Sequence, residues 1–296
     1  MKTKLSLYIL FIAVLSLTSC EGLVEGINEN PNDIVLSDVE DKLFLTGGLL
    51  ANVQVQCGRM NNIAGMYSGQ LIGFASLFAN QYNYNLTTSN SDGTWRAAYV
   101  GVVTNMRYIA NNSDNALLKG IAKVTEAQAI STCATIFGDV PYSEIGNSTI
   151  PDPSFDGQVD VFNDMLALLD DAIATLNTAT SQNLSEDIYY GGDKDKWIAA
   201  AYTLKARYHL QMKDYAAAMT AAENGIVSAE GDMQFIPRGA ETNAEGDKNL
   251  FWTMLETSRA GDVGNLAADG TQSYLLQLLD ASSSVSRNHG KTDETA

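Results

Sequence analysis

Apolar residues recur along most of the chain at intervals of three and four positions, the spacing that places them on one face of an α-helix. The stretch from 94 to 111 shows this pattern most clearly. Its apolar stripe consists of Trp95, Tyr99, Val102, Val103, Met106 and Ile109. Residues 117 to 137 and 161 to 176 repeat the pattern, and Gly138 and Pro141 end the first of these two runs. The sequence therefore predicts a mainly all-α fold.

Two shorter patterns concern the first helices. Ser37 is followed three residues later by Glu40, a capping box that predicts a helix starting at residue 38. Gly65, Gly69 and Gly73 then recur at a spacing of four. In a membrane this spacing indicates helix dimerisation, but here it predicts one smooth helix face on which another helix packs.

Residues 195 to 229 form the clearest architectural signal, two helices joined by a turn at Lys213 and Asp214. Large residues on the first helix face small ones on the second, as in a tetratricopeptide helix pair. The residues assigned to this joint are Tyr202, Ala206, His209, Ala218, Ala222 and Gly225. A single pair cannot cover its own apolar face, so about three or more pairs are expected to stack, with irregular loops between them.

The N-terminus has the order of an export signal. Lys2 and Lys4 precede an apolar run from 5 to 17, and small residues then lead to Cys20. The run is too short to span a bilayer. It resembles a bacterial lipoprotein signal, which implies that residues 1–19 are removed and that Cys20 is lipidated; the alternative is an ordinary secretory peptide. Residues 20–37 are then a lipidated tether that holds the body at a membrane surface.

Composition narrows the class of partner. The formal charge is −17, and removal of a leader that carries Lys2 and Lys4 makes it −19. Nucleic acid would be repelled by such a chain, and no basic stripe offers a local exception. Besides Cys20, only Cys57 and Cys133 are present. Export would permit a disulfide between them, but their apolar, helix-like surroundings favour two buried thiols.

The sequence does not predict an enzyme. The only histidines, His209 and His289, fall in a packed helix and in a polar tail, so neither joins a nucleophile and an acid. Two adjacent acid pairs are candidates for glycosidase chemistry, but such pairs arise often in an acidic chain without catalysis. These pairs are Asp170 with Asp171 and Glu186 with Asp187. We therefore expect no catalytic residue.

Metal and cofactor sites are not predicted either. Asp152, Asp156 and Asp160 are spaced by four, but the stretch lacks the alternating acids and the closing Glu of a calcium loop. Neither remaining Cys has metal-type spacing. We expect no metal ion and no cofactor.

The segment from 80 to 95 has the composition of a carbohydrate site. Sugars stack their C–H faces on flat aromatic rings, while their hydroxyls bond to amides and carboxylates. Tyr82, Tyr84 and Trp95 supply the rings, and Asn85 is one of several amides between them. We take these four as candidate ligand-binding residues in a loop between helices. The alternative for Trp95 is a core position at the start of its helix.

An ordered set of motifs resembles a known family. It comprises Cys20, Asn30-Pro31-Asn32, Trp95 with Tyr99, Phe137-Gly138-Asp139-Val140-Pro141-Tyr142, and Trp197 with Leu204-Lys205-Ala206-Arg207. The set is similar to the SusD/RagB family of nutrient-binding outer-membrane lipoproteins. The resemblance covers most of the chain to about residue 227.

The resemblance implies a location, a partner and a ligand. It implies a lipid-anchored domain on the outside of the outer membrane that receives nutrients, chiefly oligosaccharides, and delivers them to a TonB-dependent transporter. It also implies that the segment containing Tyr82 and Tyr84 lies on the ligand face.

Domain boundaries follow from the motifs and from family length. Residues 38–229 form the helical domain, and residues 230–296 start an irregular region that is incomplete, because family members are longer. The alternative function is a helical-repeat interaction scaffold without a small-molecule site, since tetratricopeptide surfaces also grip peptides. Which nutrient is bound is left open by the sequence.

Overall fold

The computed structural model describes residues 39–237 and 248–285, and within them nearly all regular structure is helical. The predicted all-α class with tetratricopeptide-like helices is confirmed. Predictions on residues 1–38, including the leader, the tether and Cys20, lie outside the described residues. Nowhere in the described ranges does a helix combine the length and apolarity that a membrane crossing needs.

The elements follow one another in this order. The first are α1 (Asp41–Cys57), α2 (Arg59–Tyr67), strand β1 (Ile72–Gly73), α3 (Ser76–Tyr82) and a 3₁₀ turn (Thr88–Asn90). A continuous helical run comprises α4 (Asp92–Arg96), a π-helical segment (Ala97–Val103) and α5 (Thr104–Asn112). The long helices are α6 (Ala116–Phe137), α7 (Gln158–Thr178) and α8 (Lys194–Gln211), followed by α9 (Tyr215–Ala222) and a 3₁₀ turn (Ala229–Gly231). The last elements are α10 (Leu250–Trp252), a π-helical segment (Thr253–Ser258), β2 (Val263–Gly264) and α11 (Tyr274–Leu279).

The main core lies between α1, the helical run from 92 to 112, α6, α7 and α8. The three amphipathic stretches predicted from the sequence are all helices, with boundaries within three residues of those predicted. Val102, Met106 and Ile109 of the first stripe are buried, whereas Trp95 and Tyr99 are half-buried at its start. The helix period thus predicts which face packs.

The predicted joint between α8 and α9 exists but uses partly different residues. Ala218 is buried as predicted, whereas Ala222 is exposed and Ala221 is buried instead. On α8 the buried tyrosine is Tyr208, not Tyr202, and its hydroxyl bonds to the carbonyl of Ala127 on α6 at 3.1 Å. The interlocking face is therefore rotated from the predicted one, because α8 packs against α6 and α7 as well as against α9.

Two predictions about the first helices were wrong. The first helix begins at Asp41 rather than at residue 38, three residues after the predicted start. The glycine spacing does not mark one helix face, because α2 ends at Tyr67. Gly69 has a φ of 76°, in the left-handed region that favours glycine, and Gly73 lies in β1. The three glycines therefore lie in a helix, a turn and a strand, and not on one smooth helix face.

A second, smaller core lies apart from the main one. Its buried members are Ile63, Met66, Phe78, Met254 and Val263. The two-stranded antiparallel sheet closes it, with Ile72 paired to Gly264 and Gly73 paired to Val263. Residues beyond 250 therefore pack against α2 and α3, far away in sequence.

The loop after α6, which carries the FGDVPY motif, is tied to the helices by side chains. Gly138 ends α6 with a φ of 83°. The hydroxyl of Tyr99 donates to the carbonyl of Pro141 at 3.0 Å. Glu126 accepts from Nε of Arg107 at 2.8 Å and from the hydroxyl of Tyr142 at 3.1 Å. The motif is therefore accounted for by packing and hydrogen bonding.

Cys57 and Cys133, the cysteines within the described ranges, are free thiols. Cys133 is buried in α6, as predicted, and burial raises the pKa of its thiol to about 12. Cys57 is half-buried at the end of α1, and burial raises its pKa as well. Both stay protonated at neutral pH, so neither is a thiolate nucleophile or a ready metal ligand.

Candidate functional site

A groove of about 500 Å³ lies beside the smaller core, and we call it the tyrosine groove. It is lined by Met66, Tyr67, Ser68, Gly69, Tyr82, Asn83, Tyr84 and Tyr274. Two of the predicted ligand residues, Tyr82 and Tyr84, therefore lie together in one groove. Tyr82 is the last residue of α3 rather than part of a loop, and Tyr84 is two residues beyond the helix.

The rings of Tyr84 and Tyr67 form a stacked pair at the rim of this groove. Their centroids are 4.5 Å apart and their planes are inclined by 23°. Tyr84 is 72% exposed, so the outer face of its ring is open to a ligand. Its φ of 64° is uncommon for a bulky residue, and such strain concentrates at functional sites.

Gly69 brings the C-terminal part of the described chain to the groove. A Cβ at this position would lie 2.9 Å from the Cβ of Tyr274, closer than side chains approach one another. The carbonyl of Gly69 accepts a hydrogen bond from the backbone N–H of Leu275 at 2.9 Å. Glycine at position 69 thus allows α11 to place Tyr274 on the wall of the groove. Neither Tyr67 nor Tyr274 was predicted from the sequence, because each is remote from residues 80 to 95.

The chemistry of the tyrosine groove is aromatic and uncharged. None of its lining residues carries a charge, although the chain as a whole has a formal charge of −17. Burial and the neighbouring Tyr84 raise the pKa of Tyr67, so its phenol remains a hydrogen-bond donor at neutral pH. Flat rings with phenol, hydroxyl and amide groups can bind a polar, uncharged ligand with apolar faces.

Trp95 lies in a second groove, separate from the tyrosines. This tryptophan groove has a volume of about 570 Å³. Its lining consists of Thr88, Ser91, Asp92, Trp95, Arg96, Val100, Phe137, Asp139 and Phe155. The sequence placed Trp95 in one site with Tyr82 and Tyr84, but no residue lines both grooves.

The predicted amides are divided among several roles. Asn83 lines the tyrosine groove, while Asn85 is exposed and lines neither groove. Asn90 is buried and accepts from the backbone N–H of Thr87 at 2.6 Å in a capping box. Gln81 is buried as well. Of these amide residues only Asn83 lines a groove, and its side-chain N–H donates to the carbonyl of Ala79 at 2.9 Å.

The acid pairs are engaged in structural contacts. Asp170 and Asp171 on α7 form ion pairs with Lys205 and Lys123, the latter at 2.8 Å. Asp187 is buried, and its carboxylate accepts four N–H groups. The carboxylates singled out for glycosidase chemistry therefore have packing roles.

Of the three spaced aspartates, Asp156 likewise holds a loop. Asp156 accepts from the backbone N–H groups of Tyr142 and Ser143 at 2.7 and 2.8 Å. Burial of this carboxylate is outweighed by bonds from the hydroxyl and N–H of Ser143 and from Tyr142, so its pKa is lowered. Among the described residues, no three His, Cys, Asp or Glu side chains are placed to share a metal ion.

A third cleft, of about 400 Å³, lies between α1, α2, α6 and α8. Its one aromatic residue is Tyr208, which is buried and bonded to Ser131 and Ala127. The cleft therefore offers no open ring for stacking. The two aromatic grooves are the better candidates for a ligand site.

Comparison with known proteins connects this arrangement to a family. The SusD-like family model described as "Starch-binding associating with outer membrane" matches residues 34–263. No curated protein matches the chain.

Solved structures share the fold. A SusD/RagB family protein from Bacteroides thetaiotaomicron matches with a TM-score of 0.67 and 23% identity, over 77% of this chain and 50% of that one. A chitin-binding SusD homologue from Flavobacterium johnsoniae matches with a TM-score of 0.59 and 22% identity, over 74% and 49%. A SusD homologue from Bacteroides uniformis gives 0.58 and 20%, over 74% and 50%. The chain thus spans about half the length of these structures.

Structural matches at such low identity establish the fold, whereas the family model matches the sequence over most of its length. The family resemblance drawn from the sequence motifs is confirmed. The chain belongs to the SusD-like family, which is described as starch-binding and as associating with the outer membrane.

Proposed function

We propose that this protein is a lipid-anchored receptor on the outer face of the outer membrane that binds oligosaccharides and delivers them to a TonB-dependent transporter. The proposal assigns no catalytic step to the chain. Family membership supports carbohydrate binding and association with the outer membrane. The resemblance of the sequence motifs to the family implies the transporter and the delivery step, and we propose both for this chain.

One observation carries the proposal, the stacked and exposed pair of Tyr84 and Tyr67 in an uncharged groove. A sugar ring is polar at its edges and apolar on its C–H faces, so it matches an open aromatic face beside hydroxyl and amide groups. One structural neighbour is described as chitin-binding and the family as starch-binding. Oligosaccharides of chitin and of starch are therefore the first ligands to test.

The test of the groove is replacement of Tyr82 and Tyr84 together by alanine. Each lost ring contact is expected to cost about 1 kcal/mol, so the double variant should bind roughly 30-fold more weakly. Both side chains are exposed, so helical content should not change. Isothermal titration calorimetry of the purified protein with chitohexaose and maltohexaose gives the affinities, and far-ultraviolet circular dichroism checks the fold.

Tyr215→Ala is the matched control, because Tyr215 is 64% exposed on α9 and lines neither aromatic groove. It should leave affinity unchanged. Equal binding by the double variant and the parent would contradict the assignment of the groove. Failure of the parent to bind any saccharide would favour the interaction scaffold instead.

Membrane attachment is tested at Cys20, the proposed lipidation site. Cys20→Ala removes the thiol that would carry the lipid, and residues 21 to 37 offer no long apolar run in its place. The variant is expected to move from the membrane pellet to the soluble fraction, which immunoblotting of fractionated cells measures. Sedimentation of the variant with membranes after a high-salt wash would contradict lipid anchoring.

A further inference from the structure

The two aromatic grooves adjoin one another along a single short stretch of chain. In this stretch, Tyr84 is the last residue that lines the tyrosine groove, and Thr88 is the first residue that lines the tryptophan groove. Three residues lie between them, and all three are exposed. We call this segment, Asn85, Leu86 and Thr87, the ridge. A step of four residues spans at most about 14 Å. The grooves are therefore close enough for one extended ligand to touch both.

Helix α2 also has contacts on the sides of both grooves. It carries Tyr67 of the tyrosine groove and packs against α4, which carries Trp95 of the tryptophan groove. At its start, Nη1 of Arg59 lies 3.5 Å from the carbonyl oxygen of Ser89, next to the lining residue Thr88. One helix thus contacts both sides of the ridge, which holds the grooves in a defined relation.

The tryptophan groove offers apolar surface that the fold leaves open. Phe155 is 67% exposed, and its ring centroid lies 6.5 Å from that of Trp95. Val100 on the same groove is also exposed. Exposed apolar patches that are rimmed by polar residues often mark binding surfaces.

The rim of this groove supplies hydrogen-bonding groups of both kinds. Asp92 and Asp139 provide carboxylate acceptors, and Arg96 provides guanidinium donors. Oδ1 of Asp139 accepts the backbone N–H of Gln158 at 2.9 Å, which orients the carboxylate. Carboxylates accept hydrogen bonds from sugar hydroxyls, and guanidinium groups donate hydrogen bonds to the hydroxyl oxygens. Aromatic rings stack on the C–H faces of the sugar. The groove therefore suits a saccharide as the tyrosine groove does, with a different set of polar groups.

We infer that one oligosaccharide chain lies across both grooves, over the ridge of Asn85, Leu86 and Thr87, so that the protein recognises saccharides by their length. The inference rests on the proposed function. It also gives Asn85 a position beside the ligand although Asn85 lines neither groove.

Bridging makes affinity depend on chain length in a specific way. A short saccharide can occupy only one groove at a time, whereas a long one gains the second contact at a high effective concentration. The gain in affinity is expected to appear only once the saccharide is long enough to cross the ridge. Loss of either groove should then return a long saccharide to the affinity of a short one.

Calorimetry with chitin oligosaccharides, from the disaccharide to the hexasaccharide, tests the inference. Phe155→Ala should weaken hexasaccharide binding by about tenfold or more and weaken the disaccharide bound in the tryptophan groove, while the disaccharide in the tyrosine groove keeps its affinity within about twofold. Bridging also predicts one hexasaccharide per protein molecule, against two disaccharides. Val159→Ala is the matched control, because Val159 is an exposed apolar residue near Phe155 that lines neither groove.

The outcomes separate this inference from the proposed function. Two hexasaccharides per molecule, or hexasaccharide binding that Phe155→Ala leaves unchanged, would overturn bridging while saccharide binding at the tyrosine groove stands. Absence of binding at every length would overturn the proposed function itself. Length-dependent loss in both Phe155→Ala and Tyr84→Ala, with the control unaffected, supports one ligand across both grooves.

Discussion

Replacing Asp187 with alanine is expected to lower the free energy of unfolding by about 4 kcal/mol, because it leaves several buried donors without an acceptor. Asp187 is only 4% exposed. Its Oδ1 accepts the backbone N–H groups of Tyr189 and Tyr190 at 3.1 and 3.2 Å. Its Oδ2 accepts the N–H of Gly192 at 2.9 Å and the indole N–H of Trp197 at 2.7 Å. One carboxylate thus holds both the turn before α8 and the buried tryptophan of that helix.

Urea unfolding followed by circular dichroism measures this loss, and two further variants make it specific. Asp187→Asn keeps the shape but can turn an amide donor toward the N–H groups, so an intermediate loss is expected. Glu186→Ala is the matched control, since this neighbouring acid lies near the surface, where it pairs with Lys42 at 3.6 Å and accepts from the hydroxyl of Ser185 at 3.0 Å. It should lower the free energy of unfolding far less than Asp187→Ala does. Equal effects at positions 186 and 187 would contradict the structural role of Asp187.

Glu126→Ala is expected to cost about 3 kcal/mol, the second large effect. The side chain of Glu126 is 5% exposed and bonds to Arg107 and Tyr142. Its removal leaves a guanidinium and a phenol short of an acceptor. Arg107 is itself 30% exposed, so water restores part of its solvation and the loss stays at the lower end of the range for buried pairs.

A double-mutant cycle with Arg107→Leu distinguishes a paired network from independent contacts. Arg107→Leu removes the positive charge that pairs with Glu126. Glu126→Ala should therefore lower the free energy of unfolding less in that background than in the parent. The bond from Nη1 of Arg107 to the carbonyl of Ile145, at 2.7 Å, is present in both proteins that keep Arg107 and absent from both that carry Arg107→Leu, so it cancels when the two costs of Glu126→Ala are compared. Additive losses from equilibrium urea unfolding would mean that the two side chains do not stabilise the loop as a pair.

The helix period predicted the fold well because it reflects burial directly. The apolar stripe of residues 94 to 111 becomes one buried face, and the run ending at Phe137 becomes α6. The same reasoning misplaced Ala222, since a stripe of alanines does not indicate which of two adjacent residues faces the partner helix. It also misread the glycines after α2, where spacing alone cannot distinguish a helix face from a turn.

The site was predicted only in part, for reasons of distance along the chain. Tyr82 and Tyr84 lie together because they are neighbours in sequence, and so they could be identified from composition. Tyr67 and Tyr274 reach the same groove through tertiary packing that no local pattern contains. Trp95 lines a different groove from the two tyrosines, because the chain between Tyr84 and Trp95 passes over the exposed ridge. Asp187, adjacent to a solvent-exposed acid, could not be recognised as buried from its sequence.

The smaller core beneath the tyrosine groove links ligand affinity to local conformational equilibrium. Its five buried residues are closed by strands that pair Ile72 with Gly264. Contacts between segments so far apart in sequence carry a large loop-closure entropy, and small apolar clusters open more readily than a main core. Whenever this unit is open, Tyr274 and Tyr67 are no longer held on one groove, so the apparent dissociation constant rises as the closed fraction falls. Substitutions at Met254 and Ile63, which lie in the smaller core and do not line the groove, are therefore expected to weaken binding of the proposed ligand.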